Sequence, residues 1–386
     1  MPTAVINQSD VRLQLAGERL QVFGRKPEAD RDEVLREIPL RDLDRLIISE
    51  SVHFTTPALA AVLRAGVAVQ VFSWSGTFLG SFLPEPNKHG LARLRQYRRT
   101  LEPEFSLQMS GRIVTAKLYN QRRVLQRLGA SRADVAQAST PASSGGIPAA
   151  RSESGQGPAC RQTGGHENPK SGMSAPPAEG ENSKSEIQST LNWMDALFAP
   201  ISKSRSIDEL RGYEGTSTAR YFQAWAGFLP KEFSFERRST RPPLNPVNAC
   251  ISFGSTLLYH EAAAFIHAHG LDPALGTLHA TEDGRWSLAL DLIEPFRPVL
   301  VEALALDLFS HQILNTQHFE ARNGGVYLNE EGRKKFFLQY ERRMERQFMS
   351  ECAGHRTTLR HQLEQQAVML KAALEEPARF EPFLMN

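Results

Sequence analysis

The sequence predicts an α+β chain: a small β-rich N-terminal domain, then a larger all-α C-terminal domain, with a disordered insertion between helices. Three observations predict it. Alternating apolar residues and turn signals crowd residues 1–87. Helical spacing of apolar residues holds over 88–129 and again over 187–386. Between them, 130–186 is rich in Ser, Gly, Pro and Ala, with almost no large apolar residues to bury. The chain therefore divides into the β-rich domain 1–87, connecting basic helices 88–129 that begin the helical domain, the low-complexity insertion 130–186, and the helical domain 187–386.

Each element has its own signal. Val11–Leu15 and Leu20–Phe23 alternate around Ala16-Gly17-Glu18, a hairpin pattern. Ile38 to Ile48 reads as strand, short turn, strand. Thr55-Thr56-Pro57 opens a helix that stops at Gly66, and Val67–Phe72 and Thr77–Leu83 follow as strands. Leu91, Leu94, Tyr97 and Leu101 are spaced as one helix face, and a second helix runs from Pro103 to Leu128 with Arg112, Lys117, Arg122, Arg123 and Arg127. That positive charge suits phosphate contact or a solvated face. Ser206-x-x-Glu209 is a capping box. The basic, proline-rich 236–246 cannot be helical, and Asn248–His269 is a long helix ending at Gly270. Helices follow over 299–314, 332–347 and 356–374, with a turn at Asn323-Gly324-Gly325.

Composition narrows the classes. Lys+Arg against Asp+Glu is 45 to 43, so whole-chain charge says little about partners. Cys160, Cys250 and Cys352 form no CxxC pair, which points to a reducing compartment. No apolar run approaches the roughly 18 residues of a membrane span, and a cytoplasmic location is expected. Phosphate-loop signatures and a GxSxG elbow are absent, and His260-Glu261 is no zincin because residue 264 is Ala. Cys160 and His166 lie in the insertion without a second ligand pair.

The stretch 276–298 carries the chemistry. His279 precedes a turn at Asp283-Gly284, and Asp291 and Glu294 follow close to Arg297. If Asp291–Arg297 is the first turn of a helix, the two carboxylates share a face. With Glu214 they form an oxygen-rich set with one imidazole, suited to Mg2+ or Mn2+. Bland readings stand beside this one: Asp291-x-x-Glu294 as a capping pair, Glu214 paired with an arginine such as Arg211, His279 as a buried hydrogen-bonded ring.

Several ordered motifs resemble the CRISPR-associated adaptation integrase family, Cas-one. They are GYEGTSTARYF around Glu214, RPPLNPVNACISFGSTLLY from Arg241, GLDPALGTLH to His279, LALDLIEPFRP through Asp291 and Glu294, and GGVYLNEEGRKKFF from Gly324. TTPALAAVLRAGVAVQVFS and ARLRQYR near the N-terminus are similar too. The resemblance covers nearly everything except 130–186, whose length is a departure. It implies a metal-dependent DNA endonuclease and integrase that inserts spacers into a CRISPR array by 3′-hydroxyl transesterification. It implies a homodimer made through the N-terminal domain and a heterohexamer with the small subunit Cas-two on double-stranded DNA. Carried over, Glu214, His279 and Glu294 are the catalytic metal ligands, with Asp291 accessory. Glu294 stands where some members have Asp. Arg241, Asn248, Tyr259 and Arg297 match family positions as DNA-binding candidates, and Arg93, Arg95, Arg98, Arg237 and Arg238 add possible phosphate contacts. The alternatives are a general metal-dependent nuclease on branched DNA and a non-catalytic DNA-binding scaffold.

Overall fold

The computed structural model describes residues 3–6, 8, 10–25, 32–43, 45–73, 78–84, 90–138, 179–350 and 354–385. Two four-stranded sheets build the N-terminal region. One contains β1 (Thr3–Ile6), β5 (Arg45–Ser49), β7 (Ala68–Phe72) and β8 (Phe78–Phe82), in that order. The other runs β4 (Glu33–Pro39), β3 (Arg19–Gly24), β2 (Arg12–Ala16), β6 (His53–Phe54). The β2–β3 hairpin closes over Gly17-Glu18, and Gly17 takes φ 58°, the left-handed conformation that such a two-residue turn requires. Helix α1 (Thr56–Arg64) packs Ala58 and Val62 into the core of this region.

Strand alternation makes the first sheet two-faced. Leu46, Ile48 and Val69 face the N-terminal core. Their neighbours Arg45, Ile47, Gln70 and Phe72 face the helices: Ile47 and Phe72 join the helical core, and Gln70 donates to the His260 carbonyl at 3.3 Å.

The helical part comprises α2 (Gly90–Thr100), α3 (Pro103–Ala138), α4 (Glu179–Ser202), α5 (Ile207–Ala226), α6 (Pro246–Ala268), α7 (Ser287–Ile293), α8 (Ala303–Ser310), α9 (Glu330–Glu345) and α10 (Leu359–Ala373). Helices α3 and α4 extend into 130–186 from its two sides; Cys160 and His166 lie outside the described residues. Two short hairpins interrupt the helical domain, β9 (Phe319–Arg322) with β10 (Gly325–Leu328), and β11 (Phe348–Ser350) with β12 (His355–Thr357). The first closes on Asn323 (φ 49°) and Gly324 (φ 74°), so the expected turn is a strand connection.

Two expectations are corrected. The apolar spacing on α2 does not mark its buried face: Leu91, Leu94 and Leu101 are exposed by 73%, 64% and 83%. Instead the buried Gln96 clamps the helix, donating to the Asp272 carbonyl at 2.9 Å and accepting from the Asp272 amide at 2.8 Å. A side-chain amide that satisfies both backbone groups of one residue substitutes for apolar burial. The second correction is that Asp291–Arg297 is not a first helical turn. Helix α7 starts at Ser287 and ends at Ile293, and a π-helical turn over Arg297–Glu302 precedes α8. Pro295 and Pro298 have no N–H to give to the Asp291 and Glu294 carbonyls, so the α-helical ladder is interrupted there.

Candidate functional site

Three helices converge on one buried ammonium. Lys117, on α3, has a side chain only 2% exposed. Its Nζ contacts Glu214 Oε1 on α5 and lies 2.5 Å from Glu294 Oε2, just past the end of α7. Glu294 Oε1 accepts from Arg297 at 3.0 Å, across the proline-broken turn. Asn120, one turn along from Lys117, fixes that turn by donating to the Pro295 carbonyl at 2.7 Å. Thr218, one turn along from Glu214, donates to Glu214 Oε1 at 3.1 Å and receives a bond from Gln121 of α3 at 3.1 Å. The carboxylates thus sit on rigid, cross-braced supports.

His279 reaches this region on a loop that Asp291 organises. Asp291 is fully buried, and its Oδ2 accepts from the Thr277 and Leu278 amides at 2.6 and 3.0 Å. Its Oδ1 accepts from the His279 amide at 2.9 Å and lies 2.7 Å from His279 Nδ1. With Nδ1 so engaged, Nε2 is the nitrogen left to act. Gly276 lets the loop lie flat on α7, since a Cβ there would stand 2.7 Å from the His279 carbonyl and 2.8 Å from Ser287 Cβ. Arg211 of α5 does not pair with Glu214; it donates to the Leu278 carbonyl at 2.8 Å and so ties α5 to the same loop. Asp291 and Glu294 therefore serve different ends: one holds the histidine loop, the other meets the cations. Asp291→Asn puts an NH2 against either the amide donors or the ring. It is expected to lower metal affinity or activity about 10–100-fold, checked by Mn2+ titration and DNA strand transfer.

Electrostatics follow from burial and partners. Burial works against the charged form of Lys117, but Glu294 and then Glu214 outweigh it, so its pKa is raised and it stays protonated. Burial also works against ionised Glu294, yet Arg297, Lys117 and His279 hold its carboxyl far below the usual range. Burial lowers His279, but the Asp291 hydrogen bond and charge prevail and its pKa is raised. Glu302, another buried carboxyl facing Arg297 and Lys117, is raised by burial. Lys117 and Glu302 escaped sequence reading. Lys117 resembled a surface cation, and no spacing links Glu302 to the others. The basic residues of α3 mostly serve the fold: Arg112 donates to the Phe380 carbonyl at 2.6 Å and Arg122 pairs with Asp195.

Among the described residues, no three His, Cys, Asp or Glu side chains are gathered into a metal cluster. The donor set still fits a hard dication. Glu214 and Glu294 already place oxygens from two elements on a single cation, and His279 is an electrostatic neighbour of Glu294 with Nδ1 occupied.

The DNA-binding candidates fall in two groups. Arg241 is exposed and lines a cleft of about 620 Å3 with Tyr259, His260, Tyr327 and Arg333. Tyr259 stacks on Trp286 at 5.8 Å and its hydroxyl accepts from the Trp286 amide at 2.8 Å. Asn248, in contrast, is fully buried: Oδ1 accepts from the Ser239 amide at 3.0 Å and from Arg238 at 2.9 Å, and Nδ2 donates to the Arg237 carbonyl at 3.0 Å. It shapes the basic loop from within. Arg297 is committed to Glu294, Arg95 pairs with Glu375, and Arg98 and Arg237 are exposed.

Comparison with known proteins identifies the architecture. The family model for CRISPR associated protein Cas1 matches residues 4–150 and 176–342. The chain belongs to the Cas1 family. Among curated Cas1 relatives, one "CRISPR-associated endonuclease Cas1" of Thermus thermophilus is 30% identical over 92% of this chain and 90% of its own length. One from Thermodesulfovibrio yellowstonii is 28% identical over 90% and 92%. The fold also matches solved structures. A casposase bound to integration product superposes with TM-score 0.73 at 20% identity over 98% of this chain and 91% of that one. A Cas1 protein from Thermotoga maritima gives 0.67 at 19% identity over 99% of both. The Cas1 fold thus bears out the expected α+β architecture, a β-rich N-terminal region before a larger helical part. Among the described residues, no helix is long and apolar enough to cross a membrane.

Proposed function

We propose that this Cas1 chain is a metal-dependent DNA endonuclease and integrase that inserts foreign DNA fragments into a CRISPR array. The supporting observation is the convergence of Glu214 and Glu294 on one buried cation beside an Asp291-held His279. Relatives named as Cas1 endonucleases and a fold match to a casposase bound to integration product support the same reading. Glu214, Glu294 and His279 Nε2 would hold Mg2+ or Mn2+. When bound, the ion supplies a Lewis acid to a phosphate oxygen and lowers the pKa of a coordinated hydroxyl. The incoming 3′-hydroxyl gives up its proton and forms a P–O bond. The P–O bond of the repeat strand breaks, and its 3′-oxygen leaves and takes a proton. No covalent bond to the protein is needed, so the side chains act by position and charge. Arg241 and Tyr259 border the cleft where a DNA strand would approach, and the exposed Arg237 and Arg98 are candidates for further sequence-independent phosphate contacts. Arg297, held by Glu294, would add its charge to the site from within, while Asn248 acts by holding 237–239.

The assembly follows in the same reading: a homodimer made through 1–87, joined with Cas-two into a heterohexamer on double-stranded DNA. A solved Cas6-RT-Cas1–Cas2 complex matches at TM-score 0.71, 20% identity, over all of this chain and 36% of that one. Purified protein, with and without Cas-two, is mixed with a 3′-hydroxyl duplex, a repeat-bearing plasmid and Mn2+. Joined product is expected, along with DNA binding that weakens steeply between 50 and 200 mM salt, on the order of 10³-fold for about six phosphate contacts. Hydrolysis without joining would indicate a nuclease only. Binding without either would leave a scaffold.

A further inference from the structure

The Lys117 ammonium stands between Glu214 and Glu294, against both oxygens that the proposed metal site would use. A dication and this ammonium cannot share them. The lysine stem is four carbons long and flexible, so the charge can move without the helix moving. A destination lies inside the same cluster. Glu302 is 1% exposed, it interacts electrostatically with Lys117, and the Tyr221 hydroxyl is a hydrogen-bond partner of its carboxyl. A single hydroxyl donor leaves most of a buried carboxylate's acceptor capacity unused, and so leaves room for an ammonium. We propose that Lys117 is a built-in counter-ion: it bridges Glu214 and Glu294 until a divalent cation displaces it, and its ammonium then transfers to the Glu302 carboxylate. Lys117 and Glu302 are positioning residues that keep the site's charge balanced in both states. Without the lysine, the part-buried Glu214 and the buried Glu294 would face each other with no cation between them. Without Glu302, the displaced ammonium would have no buried partner. The inference rests on the reading of Glu214 and Glu294 as metal ligands.

The test is Mn2+ alone, titrated into the full chain and followed by the electron paramagnetic resonance of free Mn2+, in a double-mutant cycle. Lys117→Met removes the competitor and is expected to tighten binding about tenfold. Glu302→Gln in the wild-type background is expected to weaken it about tenfold, because displacement then strands an ammonium. In the Lys117→Met background the same change is expected to alter binding less than about threefold. Equal weakening in both backgrounds means that Glu302 acts only as a through-space charge, and it overturns the proposal while leaving the metal site intact. If neither wild-type nor Lys117→Met protein binds Mn2+, or if Glu214→Gln and Glu294→Gln change nothing, the proposal and the metal reading fall together. Diffraction from wild-type crystals soaked in Mn2+ needs no variant. Nζ of Lys117 beside Glu302 supports the transfer, and Nζ still bridging Glu214 and Glu294 refutes it.

Discussion

Glu294→Ala is expected to lower strand transfer at least about 1000-fold, equivalent to about 4 kcal/mol of transition-state stabilisation, while DNA binding persists. Glu294 links everything at the site: Oε2 lies against Lys117 and Oε1 accepts from Arg297. Its removal takes away one proposed ligand and leaves two cations buried without their shared partner. Breaking a buried pair in this way costs about 3–5 kcal/mol of stability. Glu294→Asp keeps the charge and shortens the reach by one methylene. It is expected to retain strand transfer within about tenfold, a loss of up to about 1.4 kcal/mol. The stability effect should depend on pH in one direction. Because the folded pKa of Glu294 is depressed, its contribution is fully present above the unfolded value of about 4.3 and is lost as pH falls through the folded pKa. The gap between wild-type and Glu294→Ala in urea unfolding should therefore be wide at pH 7 and shrink in strong acid. Full integration by Glu294→Ala in Mn2+ would sink the site assignment.

The parts of this site that could be read ahead of the structure are those whose chemistry is local. His279, Asp291 and Glu294 lie within one short stretch, and its glycine, carboxylates and prolines each carry a positional meaning. Even there the geometry differed, because Asp291 lies inside α7 and accepts from the 277–279 loop, whereas Glu294 caps the helix just before Pro295 and meets Lys117 and Arg297. Lys117 could not be recognised, since a lysine on a basic helix reads as solvated until the partners of its ammonium are known. Leu91, Leu94 and Leu101 show the opposite failure. Period alone assigns them to a core, whereas a single amide pair between Gln96 and Asp272 orients α2 the other way. The N-terminal sheet was legible because alternation in Arg45–Ser49 records both faces, although the meaning of the face bearing Arg45 and Ile47 depended on what packs there.

That face carries the second large effect. Glu261→Ala is expected to destabilise the protein by about 3–5 kcal/mol. Glu261 is 1% exposed on α6 and holds two arginines from different parts of the fold: Arg45 of β5 at 2.8 Å and Arg360 of α10 at 2.6 Å. Tyr340 of α9 adds a hydroxyl donor at 3.1 Å. Arg45 and Arg360 also share Glu341, so four elements meet in one buried ionic network. Truncating the carboxylate takes from two buried guanidinium groups the counter-charge they share on α6 and leaves them the more exposed Glu341 and Glu345, which is why the loss exceeds that of a surface pair. Burial raises the Glu261 pKa, but Arg360 and Arg45 outweigh it and the net shift is downward. Its contribution is thus present above the unfolded carboxylate value and lost as pH falls through the folded pKa, so the variant should approach wild-type stability in acid. Removing the partners together, as Arg45→Met, Glu261→Met and Arg360→Met in one chain, should recover much of the loss, because apolar isosteres need no counter-charge. Thermal and urea unfolding check both statements. Hydrogen exchange adds a spatial test: protection should fall first at β5 and α10, where the N-terminal sheet is held to the helices. Glu214, His279 and Glu294 lie on other elements and make no bond to this network. Strand transfer per folded molecule should therefore stay within about twofold of wild type, since distant sites without shared partners act independently. A large loss of activity in fully folded Glu261→Ala protein would mean instead that the docking of the N-terminal sheet shapes the active site.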